Sequence, residues 1–308
     1  MESKLIKLSG GGYSAVVNLN RGANCISLRH ESGAVILREP EDPDVLDNPF
    51  LYGMPILFPV NRIDNGCFTF EGRQYRLPIN EPATGCHLHG ELHRTAFEII
   101  EKTDHSVKCR YAATKTEPYL SFPHAFEITM GYALQADGFY HTVTITNNSA
   151  LNMPVFIGFH TTFNTMFSKN SRRENIRVFA DISEEYARNM EVNYLPTGEK
   201  PPFDEISSSI ALGTYNPFKE RASKHYRGQG IMSITDTENR QRIVYENDEK
   251  YTFRLIYNGG SEGYICLEPQ NCLANCPNGP FTREEAGFDY LTPKESKTFQ
   301  SKIYFEIF

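Results

Sequence analysis

The chain has no tryptophan, so any aromatic surface offered to a ligand must be phenylalanine or tyrosine, which are plentiful at 21 and 17 of 308 residues. Long apolar runs are also missing. The longest, such as 153–159, reach about seven residues, far short of the roughly 20 that a membrane helix needs. No block of five like charges occurs and the formal net charge is −7. Nucleic acid and membrane are therefore not expected as partners, since both recruit basic clusters. The opening MESKLIKLSGGGY lacks the apolar stretch of a signal peptide. Seven cysteines at irregular spacing make an odd number that suits reduced thiols better than a disulfide framework. Together these absences lead us to expect a cytoplasmic protein, monomer or homodimer.

Helical periodicity is scarce. Only 183–190 and 282–290 have a pattern that fits two or three helical turns, whereas alternation of apolar and polar residues recurs throughout. In 126–134 the large apolar side chains fall on every second position, as a strand with one buried face requires. The turn Gln135-Ala136-Asp137-Gly138 follows, and alternation resumes to Asn147, which predicts a hairpin. Further hairpins are predicted from 67–70 with 74–77 and from 251–257 with 263–268 through the turn Asn258-Gly259-Gly260, and a last strand from 298–308. Gly10-Gly11-Gly12 reads as a turn, because no helix follows it to cradle a phosphate. Without strand–helix alternation or a fixed repeat, the expectation is a single all-β domain over 1–308, of mostly antiparallel strands in two packed sheets.

Four stretches carry chemistry. Arg62 follows the apolar run 54–60 and Asn61, and its guanidinium must either pair with a carboxylate or fork to a ligand. The segment 86–93 packs Cys86, His87, His89 and His93 into eight residues, yet matches no zinc signature, so binding or catalysis by one histidine is preferred to a metal site. His160 ends the apolar stretch 154–159, and imidazole titrates near neutrality. Glu268 follows the apolar residues 264–267 in a strand that Pro269 is expected to end, leaving the carboxyl at a rim, and burial raises a carboxyl pKa toward the range of a general base. Cys266, Cys272 and Cys276 also fit no zinc spacing, and neither metal nor cofactor is expected.

In this order the four stretches resemble the aldose 1-epimerase (galactose mutarotase-like) family. The carriers are Asn61-Arg62-Ile63 with Gly66 and the hairpin to Leu77, Leu88-His89-Gly90, His160 with Phe163-Asn164, and Leu267-Glu268-Pro269-Gln270. The resemblance runs from about residue 10 to the C-terminus. It implies a β-supersandwich with an open sugar cleft and cofactor-free interconversion of the α and β anomers of a hexose or related sugar. It further implies Glu268 as the base at O1, His160 as the acid at the ring oxygen, and Arg62, His89 and Asn61 as substrate-binding groups.

Two departures stand out. Where the family has a sugar-binding Asp, this chain reads Ser223-Lys224-His225-Tyr226-Arg227, which makes His225 a candidate substrate ligand. Phe97 stands where the family often has Trp, leaving Phe159 or Tyr264 as candidates to stack on sugar C–H groups. The basic stretch, with Arg94, Arg172 and Arg173, opens the alternative of a hexose 6-phosphate or another acidic sugar. A non-catalytic carbohydrate-binding protein on the same fold is the other alternative. A glycosidase would need a second defended carboxylate beside Glu268.

Overall fold

The computed structural model describes residues 4–43, 48–259 and 263–308. Its core is two antiparallel sheets. Eight strands form the larger, in the order Ile176–Ala180, Gly230–Asp236, Gln241–Asn247, Ser296–Ile307, Gly138–Asn147, Phe126–Gln135, Ser106–Ala113 and Glu98–Lys102. The hairpin expected at its centre is present, with Phe126 opposite Asn147 and Gln135 opposite Gly138. Its first strand alternates strictly between buried and half-buried residues, so one face supplies Phe126, Ile128, Met130, Tyr132 and Leu134 to the core.

The second sheet carries the site. It runs Glu184–Tyr186, Ser223–Arg227, Phe253–Tyr257, Tyr264–Gln270, Gly158–Phe159 and Ile56–Leu57, and Thr161–Asn164 also pairs with Tyr264–Gln270. The sheets meet through side chains: Phe163 lies 5.5 Å from Tyr245, and His141 meets Phe159 edge-on at 4.5 Å. Tyr264–Gln270 is buried along its whole length. That position demands apolar or fully partnered residues, which is why a glutamate there is informative.

The hairpins Cys67–Phe70 with Arg73–Arg76 and Phe253–Tyr257 with Tyr264–Gln270 match expectation, as does the closing strand Ser296–Ile307. The turn at 258–260 lies partly outside the described residues, and the Gly11-Gly12 turn is present with φ of 59° and 82°. Both helical expectations are corrected. Within 183–190 the chain forms the edge strand Glu184–Tyr186, because Glu185 and Tyr186 are buried against the sheet. Within 282–290 it forms turns that lead into the strand Asp289–Leu291. The α-helix of the described residues is Glu205–Ala211, capped by Asp204, whose side chain accepts the Ser207 N–H.

Candidate functional site

Strand register builds the centre of the site. Gly158 pairs with Gln270 and Thr161 with Leu267, so the break between these short strands sets His160 opposite Glu268. His160 Nε2 lies 3.1 Å from Glu268 Oε1. Its N–H does not point along that line, so Oε1 has no directed hydrogen bond and remains able to accept one. Oε2 accepts the Gln270 amide at 3.1 Å, and the Gln270 carbonyl accepts from Asn61 at 3.4 Å. Burial raises the Glu268 pKa to about 8, with Arg188, the Gln270 hydrogen bond and Arg62 opposing it. Burial also lowers that of His160 to about 4, although backbone carbonyls of His160 and Phe50 favour its protonated form.

A second pair of strands brings Asn61, Arg62 and His89 to the same place. Arg62–Asp64 pairs with Cys86–Leu88, Arg62 opposite Leu88. Asn61 and His89 sit just beyond the paired ends, with left-handed φ of 59° and 61°. The His89 N–H donates to the Asn61 carbonyl at 3.0 Å, and the Asn61 N–H donates to His89 Nδ1 at 3.3 Å. Nδ1 is therefore the acceptor, which assigns the ring proton to Nε2. Burial and the neighbouring His160 and Arg62 charges hold the His89 pKa well below its usual value, keeping the ring neutral. Gly90 is required here. It has φ of 63°, and a Cβ would come within 1.8 Å of the Phe58 carbonyl.

These groups line a cleft of about 670 Å³, within the usual range for small-molecule sites. Of the residues singled out in the sequence, Asn61, Arg62, His89, His160 and Glu268 line it. Arg62 is also a structural cation: Nε and Nη2 fork onto Glu81 at 2.6 and 2.7 Å, and the group lies over Tyr194 at 4.6 Å. Burial of Glu81 works against its ionisation, but hydrogen bonds from Arg62 and Thr84 outweigh it and hold the carboxyl below its usual value.

His225 is not brought to the cleft. It is fully buried, neither ring nitrogen has a hydrogen-bond partner, and its strand neighbours Ser223 and Lys224 line the wall instead. Lys224 is neutralised by Glu185 and Asp204, each at 2.7 Å, and Arg227 lies 3.3 Å from Glu184. Arg94, Arg172 and Arg173 lie outside the lining. Phe159 and Tyr264 are core residues at 0% and 3% exposure. The aromatic rings in the cleft are Phe50, Tyr194 and Tyr257. Phe50 packs 4.7 Å from the His89 ring and 5.8 Å from that of His160. His87 bonds the Pro78 carbonyl at 2.7 Å, and His93 packs under Phe50 at 4.6 Å, so neither joins the lining.

The sequence reading missed Arg188. It lines the cleft and donates from Nη2 to the Ser223 carbonyl at 2.6 Å and hydroxyl at 3.0 Å. Among the described residues no three His, Cys, Asp or Glu side chains form a metal-binding group, and all seven cysteines are unpaired thiols. No helix of the described residues is long and apolar enough to cross a membrane.

Comparison with known proteins agrees with this architecture. The family model for aldose 1-epimerase matches residues 4–303. A galactose mutarotase-like protein from Clostridium acetobutylicum superposes with a TM-score of 0.94 at 29% identity, covering 100% of this chain and 96% of that one. Galactose 1-epimerase from Lactobacillus acidophilus shares the fold at a TM-score of 0.72 and 14% identity, covering 100% and 99% of the two chains. The uncharacterized protein YihR of Escherichia coli K12 is 28% identical over 156 residues, 50% of this chain and 48% of that protein. The match thus spans about half the length of that curated relative.

Proposed function

Because the chain belongs to the aldose 1-epimerase family, we propose that its cleft interconverts the α and β anomers of an aldose by acid–base ring opening. One observation carries the reading: a fully buried carboxyl and a buried imidazole face each other at 3.1 Å in a sugar-sized cleft. In the ring form, Glu268 takes the proton of the O1 hydroxyl, whose electrons form the C1 carbonyl as the C1–O5 bond breaks. O5 takes a proton from His160. The sugar is then an open aldehyde, Glu268 is a carboxylic acid and His160 is neutral. Rotation about C1–C2 and the reverse transfers close the other anomer.

The pair's pKa order has a direct consequence. A carboxyl near 8 facing an imidazole near 4 holds its single proton on Glu268. That is the protonation state reached when the sugar is open, so for ring opening the bound cyclic sugar must first favour transfer of this proton from Glu268 to His160. In this reading His89 Nε2–H, Asn61 and any Arg62 N–H not held by Glu81 donate to sugar oxygens, and Phe50, Tyr194 or Tyr257, which also line the cleft, cover its C–H faces. Seven free thiols favour a cytoplasmic setting.

The test is polarimetry on freshly dissolved single anomers of several aldoses. The reading predicts first-order decay faster than the buffer rate and proportional to enzyme. Decay at the buffer rate with every sugar would refute it.

A further inference from the structure

The charges lining the cleft do not cancel. Arg62, Arg188, Arg221 and Lys224 face the carboxylates of Glu81 and Glu268. Arg62 is held by Glu81, and Lys224 by Glu185 and Asp204, which lie behind the wall. Arg188 and Arg221 differ. Among the described residues neither has a carboxylate within 4.0 Å, although fifteen other Lys or Arg pairs with carboxylates form.

These two guanidinium groups, with no carboxylate partner among the described residues, share one corner. Arg188 bonds Ser223, Ser223 pairs in register with Tyr257, and Arg221 lies over the Tyr257 ring at 5.9 Å. The Ser223 contacts use Nη2 of Arg188, and the residue lines the cleft. Burial lowers the Arg188 pKa to about 10, with the Glu268 and Glu185 charges opposing the shift, so an anionic ligand that supplies a further counter-charge is favoured there. A guanidinium fork also matches the oxygens of a carboxylate or phosphate in geometry.

We propose that this corner is a subsite for an anionic group on the sugar, so that the substrate is an acidic aldose held by Arg188 and Arg221 with its C1 end at Glu268 and His160. The inference rests on the epimerase reading for the position of C1, but not for the binding of the anion. It replaces Lys224 and Arg227, the anion hooks expected from sequence, whose charges are already matched.

A competing role for Arg188 is purely internal: its charge stabilises the Glu268 carboxylate. The test separates the two. Binding is measured by calorimetry and anomer exchange by NMR for glucose, glucuronate, glucose 6-phosphate and glucose 6-sulfate, on wild type, Arg188→Met and Arg221→Met. We expect at least one acidic sugar to exceed glucose about 10-fold or more in affinity and in kcat/KM, and each substitution to cut that preference about 10-fold. The three anions identify which acidic group is preferred. Arg221 is exposed, so its substitution spares the fold. A preference absent in wild type, or unchanged in both variants, overturns the subsite. Arg188→Met slowing neutral and acidic sugars equally would assign that residue to the internal role and overturn its part in the subsite. Arginine-dependent binding of an acidic sugar without any anomer exchange would uphold the subsite and refute the epimerase; exchange of glucose alone would do the reverse.

Discussion

Changing pH offers a quantitative prediction. With Glu268 near 8 and His160 near 4, the free pair holds one proton between these values. Two protons remove the base below the window, and none leaves no acid above it. The singly protonated fraction is about 98% at pH 6 and about 9% at both pH 3 and pH 9. After subtraction of the uncatalysed rate, kcat/KM is expected to form a broad plateau that falls about tenfold per pH unit above 8. Within the plateau, moving the proton from Glu268 to His160 costs on the order of 5 kcal/mol, from four pKa units at 1.36 kcal/mol each. Cyclic sugar must supply this through its hydrogen bonds, so the apparent pKa separation is expected to narrow in kcat relative to kcat/KM. The assay is anomer exchange in buffers that do not themselves catalyse mutarotation. A narrow bell with limbs near the ordinary values of a carboxyl and an imidazole would refute the claim that burial sets the proton inventory.

Other expectations follow from the same geometry. Glu81→Gln takes the charge partner from Arg62 and is expected to raise KM about 10-fold with a smaller change in kcat, checked by steady-state kinetics. Gln270→Leu removes the hydrogen bond that favours the Glu268 carboxylate. It should therefore move the alkaline limb of the pH profile upward; a downward shift would contradict the assignment. Phe159→Ala empties a fully buried ring site between the sheets and is expected to cost about 3–5 kcal/mol in chemical denaturation.

Much of this was legible in sequence because a strand with one buried face writes its period directly, as in Phe126–Gln135. The candidate pair was legible for another reason: a lone carboxylate in a fully apolar strand stands out without knowledge of its neighbours. What failed depends on contacts between distant residues. Ser183 to Met190 mixes glutamates with apolar residues as a surface helix does, and only pairing of Glu185 with Tyr226 makes it an edge strand. The real helix, Glu205–Ala211, contains three serines and so has weak propensity, although Asp204 three residues before Ser207 was a usable cap signal. The charges were misjudged in the same way. Lys224 reads as available in the sequence but is neutralised by Glu185 and Asp204, and Arg188 carries no sequence signal because its lack of a carboxylate partner among the described residues is a three-dimensional fact.

The most direct test of the central claim is saturation-transfer NMR of anomer exchange on wild type and Glu268→Gln, with each fold checked by circular dichroism. The substitution keeps the shape of the side chain and removes its proton chemistry. The account predicts exchange above the buffer rate in wild type and a loss of about 10²- to 10⁴-fold in the variant, with sugar still bound. Exchange by Glu268→Gln at the wild-type rate would contradict it.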